Sequence, residues 1–385
     1  MSISASIKLQ TQKVPELRFP GFSDAWQEKK LGDVANVIMG QSPDSKFYNT
    51  NGVGKFLIQG NADINKRETK PRNWTTKPTK ECQIGDIIMT VRAPVGYIAK
   101  SSVNACIGRG VCAIKNKKES SAGFLYQLLL NFEKRWIKFE QGSTFTAVNT
   151  KDVKNLKLLI PFLSEQNKIA GFLGAVDEWI ENLRKQKDQL EQYKKGMMQK
   201  IFSQEIRFKD ANGKPFPKWE EGKVSEILKS ISTRNHQIKS SEIMDLGKYK
   251  VLDQGKELVA GYSNEASKIL HKSPVIIFGD HTGALKYINF DFIVGADGTK
   301  VLSLKQEDNN LLFVYYTIQA NPLKTEGYKR HYSILKNKKI KMPSLPEQNK
   351  IAGFLTSVDD LIESKQKQIT QAEAWKRGLM QGLFV

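Results

Sequence analysis

Three sets of residues in this 385-residue sequence have the types needed for chemistry. Pro43-Asp44 with Glu68-Thr69-Lys70 formally resembles the carboxylate set of a nuclease, where clustered acids hold magnesium. Asn321-Pro322-Leu323-Lys324 is the nearest string to the Asn/Asp-Pro-Pro-aromatic motif with which an adenine methyltransferase holds a flipped base. Cys82, Cys106 and Cys112 could form a metal site, completed by His236, His271, His281 or His331. Each set is weak. The carboxylates are flanked by Asn65-Lys66-Arg67 and Pro71, a polar loop rather than a rigid strand. The Asn-Pro string lacks the second proline and the ring. The cysteines are odd in number and contain no C-x-x-C, so they read as ordinary semi-buried thiols in a reducing compartment. No G-x-G-x-x-G opens a βαβ unit, and no G-x-x-x-x-G-K-[ST] loop exists for ATP. The expectation is a non-catalytic chain that holds no metal and no cofactor of its own.

Binding is better supported. Lys and Arg number 60 against 40 acidic residues, a net charge of +20. Such a surplus predicts a polyanionic partner, first of all nucleic acid. No apolar run of about 20 residues could span a bilayer, and the N-terminus lacks the apolar core of a signal peptide. A cytoplasmic protein without a membrane partner is expected. Lysines and arginines on phosphates should supply affinity, which then falls steeply with salt. A few side chains on base edges should supply specificity, arginine suiting guanine and Asn or Gln suiting adenine. In the first half the candidates lie in turns or ahead of a helix: Arg92, Arg109, Gln141, Ser143, Thr144, Thr146 and Asn149. In the second half they are Arg234, Asn235, His281, Lys286, Tyr328, Lys329, Arg330, His331 and Tyr332.

These residues must be positioned by a duplicated framework. EQNKIAGFL stands at 165–173 and again at 347–355, 182 positions on. The match runs without a gap from 161–202 to 343–384, with 24 of 42 positions identical. Internal repetition fixes the architecture before anything else does. Ahead of each repeat lies a globular segment with buried-strand runs: 56–58, 87–91 and 111–114 in the first, and 275–278, 290–294 and 301–304 in the second. A helical patch follows in each, 124–130 and 311–318. Both segments open on a tryptophan (Trp26, Trp219) after a short lead, Leu17-Arg18-Phe19 or Ile206-Arg207-Phe208. The predicted domains are 1–160 (1–15 a polar lead) and 204–342. The predicted long helices are 161–203 and 343–385.

The helices carry a heptad stripe. Its rows are Ile169, Val176, Leu183, Leu190 and Met197 beside Phe172, Trp179 and Tyr193. In the second copy they are Ile351, Val358 and Leu379 beside Phe354, Leu361 and Trp375, broadened by Leu355, Ile362 and Ile369. Each helix would be about 55 Å long. A lone helix of that length exposes its apolar stripe, so the two should pair, most simply antiparallel. Glu165 and Glu347 fall where the helix dipole favours an anion. Gly171 and Gly353, which cost roughly 1 kcal/mol each inside a helix, mark either a close approach of another backbone or a tolerated imperfection. The fold class is α+β: two mixed α/β domains and two long antiparallel coiled-coil helices, in a pseudo-twofold internal repeat.

The order variable domain, EQxKIAxFL helix, variable domain, EQxKIAxFL helix resembles the specificity subunit of type I restriction-modification enzymes. Gly85-Asp86-Ile87-Ile88, Gly142-Ser143-Thr144 leading to Ile160-Pro161, and Gly295-Ala296-Asp297-Gly298-Thr299-Lys300 add to the likeness, which covers nearly the whole chain. The resemblance implies target recognition domains that each read half of a split double-stranded DNA sequence. It implies helices that fix their distance and dock two modification (methyltransferase) subunits, with restriction subunits joining. S-adenosylmethionine, ATP and magnesium would then sit on those partners. The counterpart of Gly142-Ser143-Thr144 reads Gly327-Tyr328-Lys329-Arg330-His331-Tyr332, so the two domains should differ in contact chemistry. Two other readings stand beside this one: a self-contained methyltransferase or nuclease, and a coiled-coil DNA-binding scaffold or repressor without restriction partners.

Overall fold

The structure is a computed structural model that describes residues 14–142, 148–296, 298–323 and 330–385. It divides into two compact units, Met1–Arg184 with Lys367–Val385, and Lys185–Gln366. Among the described residues, no helix is long and apolar enough to cross a membrane.

The first unit contains β1 (Gln27–Lys30), β2 (Ala35–Met39), β3 (Lys55–Ile58), β4 (Ile87–Thr90), β5 (Ile98–Lys100), β6 (Ala105–Ile107) and β7 (Val111–Asn116). One sheet runs β2-β7-β4-β5, with antiparallel neighbours. All four residues of β4 are buried. That explains a near-continuous apolar run, ending in the buried Thr90, in place of an alternating one. A second sheet pairs β3 with β6 in parallel. Helix α1 (Ala122–Gly142) buries Phe124, Leu125, Leu128 and Leu129 in the core that also holds Ile87, Met89 and Ile114. Helix α2 (Thr150–Lys154) leads to β8 (Lys157–Ile160), which closes the domain antiparallel to β1.

The second unit repeats this topology. Its strands are β9 (Glu220–Lys223), β10 (Leu228–Ser230), β11 (Tyr249–Leu252), β12 (Val275–Gly279), β13 (Leu285–Ile288), β14 (Ile293–Gly295) and β15 (Thr299–Leu304). The antiparallel order is β10-β15-β12-β13, and β11 pairs with β14 in parallel. Helix α3 (Leu311–Ala320) is half as long as α1, with 10 residues against 21. Helix α4 (Tyr332–Asn337) and β16 (Lys339–Met342) complete the copy, β16 lying antiparallel to β9.

The long helices span Leu163–Phe202 and Leu345–Leu383. Inside the first unit, Asp177 accepts from Lys376 Nζ at 2.6 Å and Glu373 from Arg184 Nη2 at 2.5 Å. Rising numbers on one helix thus meet falling numbers on the other, which is antiparallel packing. Inside the second unit, Lys194 Nζ donates to Asp359 at 2.6 Å. Asp359 and Lys194 are the repeat mates of Asp177 and Lys376, so one ion pair is built twice with the helices exchanged. The rings behave likewise: Phe172 meets Trp375 edge to face at 6.2 Å, and Tyr193 meets Phe354 at 6.4 Å.

The seam differs from the heptad reading in its second row. Ile169, Val176, Leu183, Ile351, Val358 and Ala372 are buried in the first row, but the row beside them is Leu173, Ile180, Leu355 and Ile369, one position on. Phe172, Leu190, Met197, Phe354 and Leu379 are half-buried. Trp179, Tyr193, Leu361 and Trp375 are about half exposed and flank the seam rather than fill it. Small and aliphatic side chains let the backbones approach, and the bulky rings are left at the rim, where Trp179 and Trp375 stack edge to face. Lys194 has only 15% of its side chain exposed, its ammonium being held by the ion pair to Asp359. A Cβ at Gly171 or Gly353 would meet nothing within 4 Å, so these glycines mark no close backbone approach.

The first turn of each long helix clasps its own domain. Arg18 donates through Nε and Nη2 to the Glu165 carboxylate, both at 2.8 Å, and Trp26 Nε1 donates to it at 3.4 Å. Arg207 and Trp219 do the same for Glu347, at 3.0, 2.7 and 3.1 Å. Both glutamates are buried. The bond to the carboxylate raises each guanidinium above its ordinary pKa. The next residue ties down the start of the longer domain helix, α1 or α3: Gln166 Oε1 accepts from Ser121 N at 2.9 Å, and Gln348 Oε1 from Asn310 N at 2.8 Å. The Glu-Gln dipeptide of the repeat therefore ties the lead, the domain and the start of the long helix together in each unit.

Candidate nucleic-acid interface

In the first unit the loop after β4 and the turn before β7 leave the same end of adjacent strands. Val91 N donates to Gly110 O at 2.9 Å, which binds the loop to the turn. Arg92 stands on the loop and Arg109 on the turn, both exposed. They line one open cavity of about 270 Å³ with Ser42, Gln59 and Asn61. Ser42 Oγ accepts from Arg109 N at 3.1 Å. Buried Asp63 accepts from Gln59 N at 2.8 Å and from Arg72 Nε at 3.2 Å, which fixes the loop after β3. At Gly110 a Cβ would lie 2.1 Å from Gln59 O, so the turn can close only around glycine. The cavity thus gathers two guanidinium groups and two amides of the kind that read base edges in a groove.

The second unit has the same loops with different side chains. Asp280 N donates to Gly298 O at 2.7 Å, so His281 takes the place of Arg92. Gln254 Oε1 accepts from His281 N at 3.2 Å. Gly298 sits at φ +76, with Gln254 so close that a Cβ would meet its Oε1 at 2.5 Å. Ahead of Gly298 stands Asp297, where the first copy has Arg109; Asp297 lies outside the described residues.

Several expected contact residues serve the fold instead. His331 is 1% exposed, its backbone N donating to Asp280 O at 2.7 Å. Tyr332 N donates to Asp280 Oδ1 at 2.8 Å, and its half-buried ring packs near Phe278. Lys286 is 6% exposed and donates to Asp253 O at 2.9 Å; burial lowers its pKa, with Asp253 opposing. Neither His331 nor Lys286 can reach a groove. Asn149 spends its side-chain oxygen capping α2, accepting from Lys151 N at 2.8 Å and Asp152 N at 3.2 Å. Arg330 is exposed, as are Arg234 and Asn235 on a turn held by His236 Nδ1 to Ile269 O at 2.9 Å. Ser143, Thr144, Thr146, Tyr328 and Lys329 lie outside the described residues, as does the side chain of Gln141. Ser42, Gln59 and Asn61 were missed in the sequence. Gln59 directly follows the buried run 56–58, much as Arg92 follows 87–91, and that parallel could have found it.

The residues of the weaker constellations are occupied locally. Asp44 Oδ1 accepts from Lys46 N at 3.2 Å, capping a one-turn helix. Asn321 ends α3, donating to Thr317 O at 3.2 Å. The three cysteines are buried, and burial pushes the Cys112 thiol up to about 12. No cluster of His, Cys, Asp or Glu among the described residues could hold a metal ion.

Comparison with known proteins places this arrangement. The family described as type I restriction modification DNA specificity domain matches residues 23–192 and 217–374, far more than half of the chain. The type I restriction enzyme MjaIX specificity subunit of Methanocaldococcus jannaschii is 27% identical over 387 residues, covering 89% of each chain. A second M. jannaschii chain, named as the MjaX specificity subunit, is 38% identical over 187 residues; this covers 48% of the present chain but only 44% of that relative. The crystal structure of the S subunit of a type I restriction-modification system from M. genitalium matches 97% of this chain and 99% of its own, with a TM-score of 0.65. At 18% identity that likeness is one of fold alone. With two copies of one recognition fold, each clasped to a repeated helix and each matched by the family, this chain belongs to the type I restriction-modification DNA specificity family.

Proposed function

We propose that this chain is the non-catalytic recognition subunit of a cytoplasmic type I complex that binds a bipartite, asymmetric sequence in double-stranded DNA. The carrying observation is that equivalent loops hold unlike side chains, Arg92 in one domain and His281 in the other. Two unlike readers on one chain suit two unlike half-sites. The long helices dock two modification subunits, and restriction subunits join them. The apolar shelf of Phe172, Val176, Trp179 and Trp375 supports a docking role, since rings half in water favour a protein partner. S-adenosylmethionine, ATP and magnesium belong to those partners, and the chain directs adenine methylation and restriction. The test replaces residues 216–342 with the matching segment of another specificity subunit and maps methylated adenines in the host genome. One half of the methylated sequence should change and the other should persist. A change in both halves, or methylation that ignores the swap, overturns the reading.

A further inference from the structure

Arginine is scarce here, eleven of the 60 basic residues. Most have a structural task. Arg18, Arg67, Arg72, Arg184 and Arg207 are ion-paired, and Arg135 lies over the Phe132 ring. Arg92 and Arg109 have no side-chain partner among the described residues, yet they line the same cavity. Their backbones are held by the bonds from Val91 N to Gly110 O and from Arg109 N to Ser42 Oγ. Two unpaired guanidinium groups on a fixed backbone, next to the amides of Gln59 and Asn61, form a reader rather than a smear of charge. Lysine, abundant over the surface, suffices for phosphates. The guanidinium fork instead matches the O6 and N7 acceptors of guanine.

We infer that the first recognition domain reads guanine at two positions of its half-site, through Arg92 and Arg109. The second domain cannot do so from the equivalent places, which carry His281 and Asp297. This assignment rests on the recognition-subunit reading and names the bases that one of its domains takes.

The full chain is selected against randomised duplex DNA, as wild type and as Arg92→Ala, Arg109→Ala, Arg92→Lys and Arg109→Lys. The wild type should enrich a split sequence with guanine in one half. Each alanine variant should lose preference at one guanine of that half and leave the other half unchanged. The lysine variants keep the charge but lose the fork, so they should relax the same positions. Replacing either guanine by 7-deazaguanine removes N7 and should weaken wild-type binding roughly five- to 150-fold, with little further effect on the matching alanine variant. Both arginines are exposed, so unchanged thermal melting separates lost contact from lost folding. If the variants weaken every sequence alike, or 7-deazaguanine has no effect, these arginines serve phosphates and the inference fails while the recognition reading stands. If no sequence is enriched, both fail.

Discussion

Two regions of each copy have diverged to very different extents. At the junction of domain and helix, the same four side-chain types make the same bonds twice: Arg18, Trp26, Glu165 and Gln166 against Arg207, Trp219, Glu347 and Gln348. At the far ends of β4 and β12, the backbone repeats but the side chains do not. Val91 N meets Gly110 O as Asp280 N meets Gly298 O, while Arg92 gives way to His281. A junction must satisfy a buried charge, which allows few solutions. A loop tip exposed to water carries no such constraint and is free to vary its chemistry. Geometry is held constant in one place while side-chain chemistry varies in the other.

The largest effect should come from breaking the junction. Glu165→Ala or Glu347→Ala leaves a guanidinium and an indole N–H without their acceptor, and should cost about 3–5 kcal/mol. Urea unfolding of the full chain should show similar losses for the two variants. A loss at one site only would end the equivalence of the junctions.

The loop ends should respond unequally. Gly110→Ala drives a Cβ against the backbone oxygen of Gln59, which cannot move without shifting β3. Gly298→Ala meets the flexible end of Gln254 but also demands a positive φ. The first change should cost about 3 kcal/mol or more and the second about 1–2 kcal/mol. Thermal melting compares them, and a reversed order would show the second turn to be the stiffer.

The smallest effect should be a gain. Gly171→Ala and Gly353→Ala fill open space on exposed helix surface and remove a flexible backbone, so each should stabilise by about 1 kcal/mol. A loss at either position in the isolated chain would reveal an approach at that glycine that the packing does not account for.

Much of this was legible in advance. The exact repeat of EQNKIAGFL dictated two copies, and apolar runs at 87–91 and 275–278 dictated central strands. The repeat is read directly, and the strands follow from local pattern, because a strand buried on both faces is mostly apolar, Thr90 being the polar exception in β4. The surplus of positive charge pointed to nucleic acid, and Arg92 and Arg109 were visible as basic residues in glycine- and proline-rich turns. Tertiary structure decided what needs distance to settle. Only folding brings Arg18 to Glu165, 147 positions away, or sets Arg92 beside Arg109 and Gln59 in one cavity. Only packing turns His331 and Lys286 inward and shifts the helix seam by one residue, from Phe172 and Trp179 to Leu173 and Ile180. Sequence spacing states which side chains share a face, whereas burial depends on what the chain lays against that face, and that is a property of contacts rather than of order.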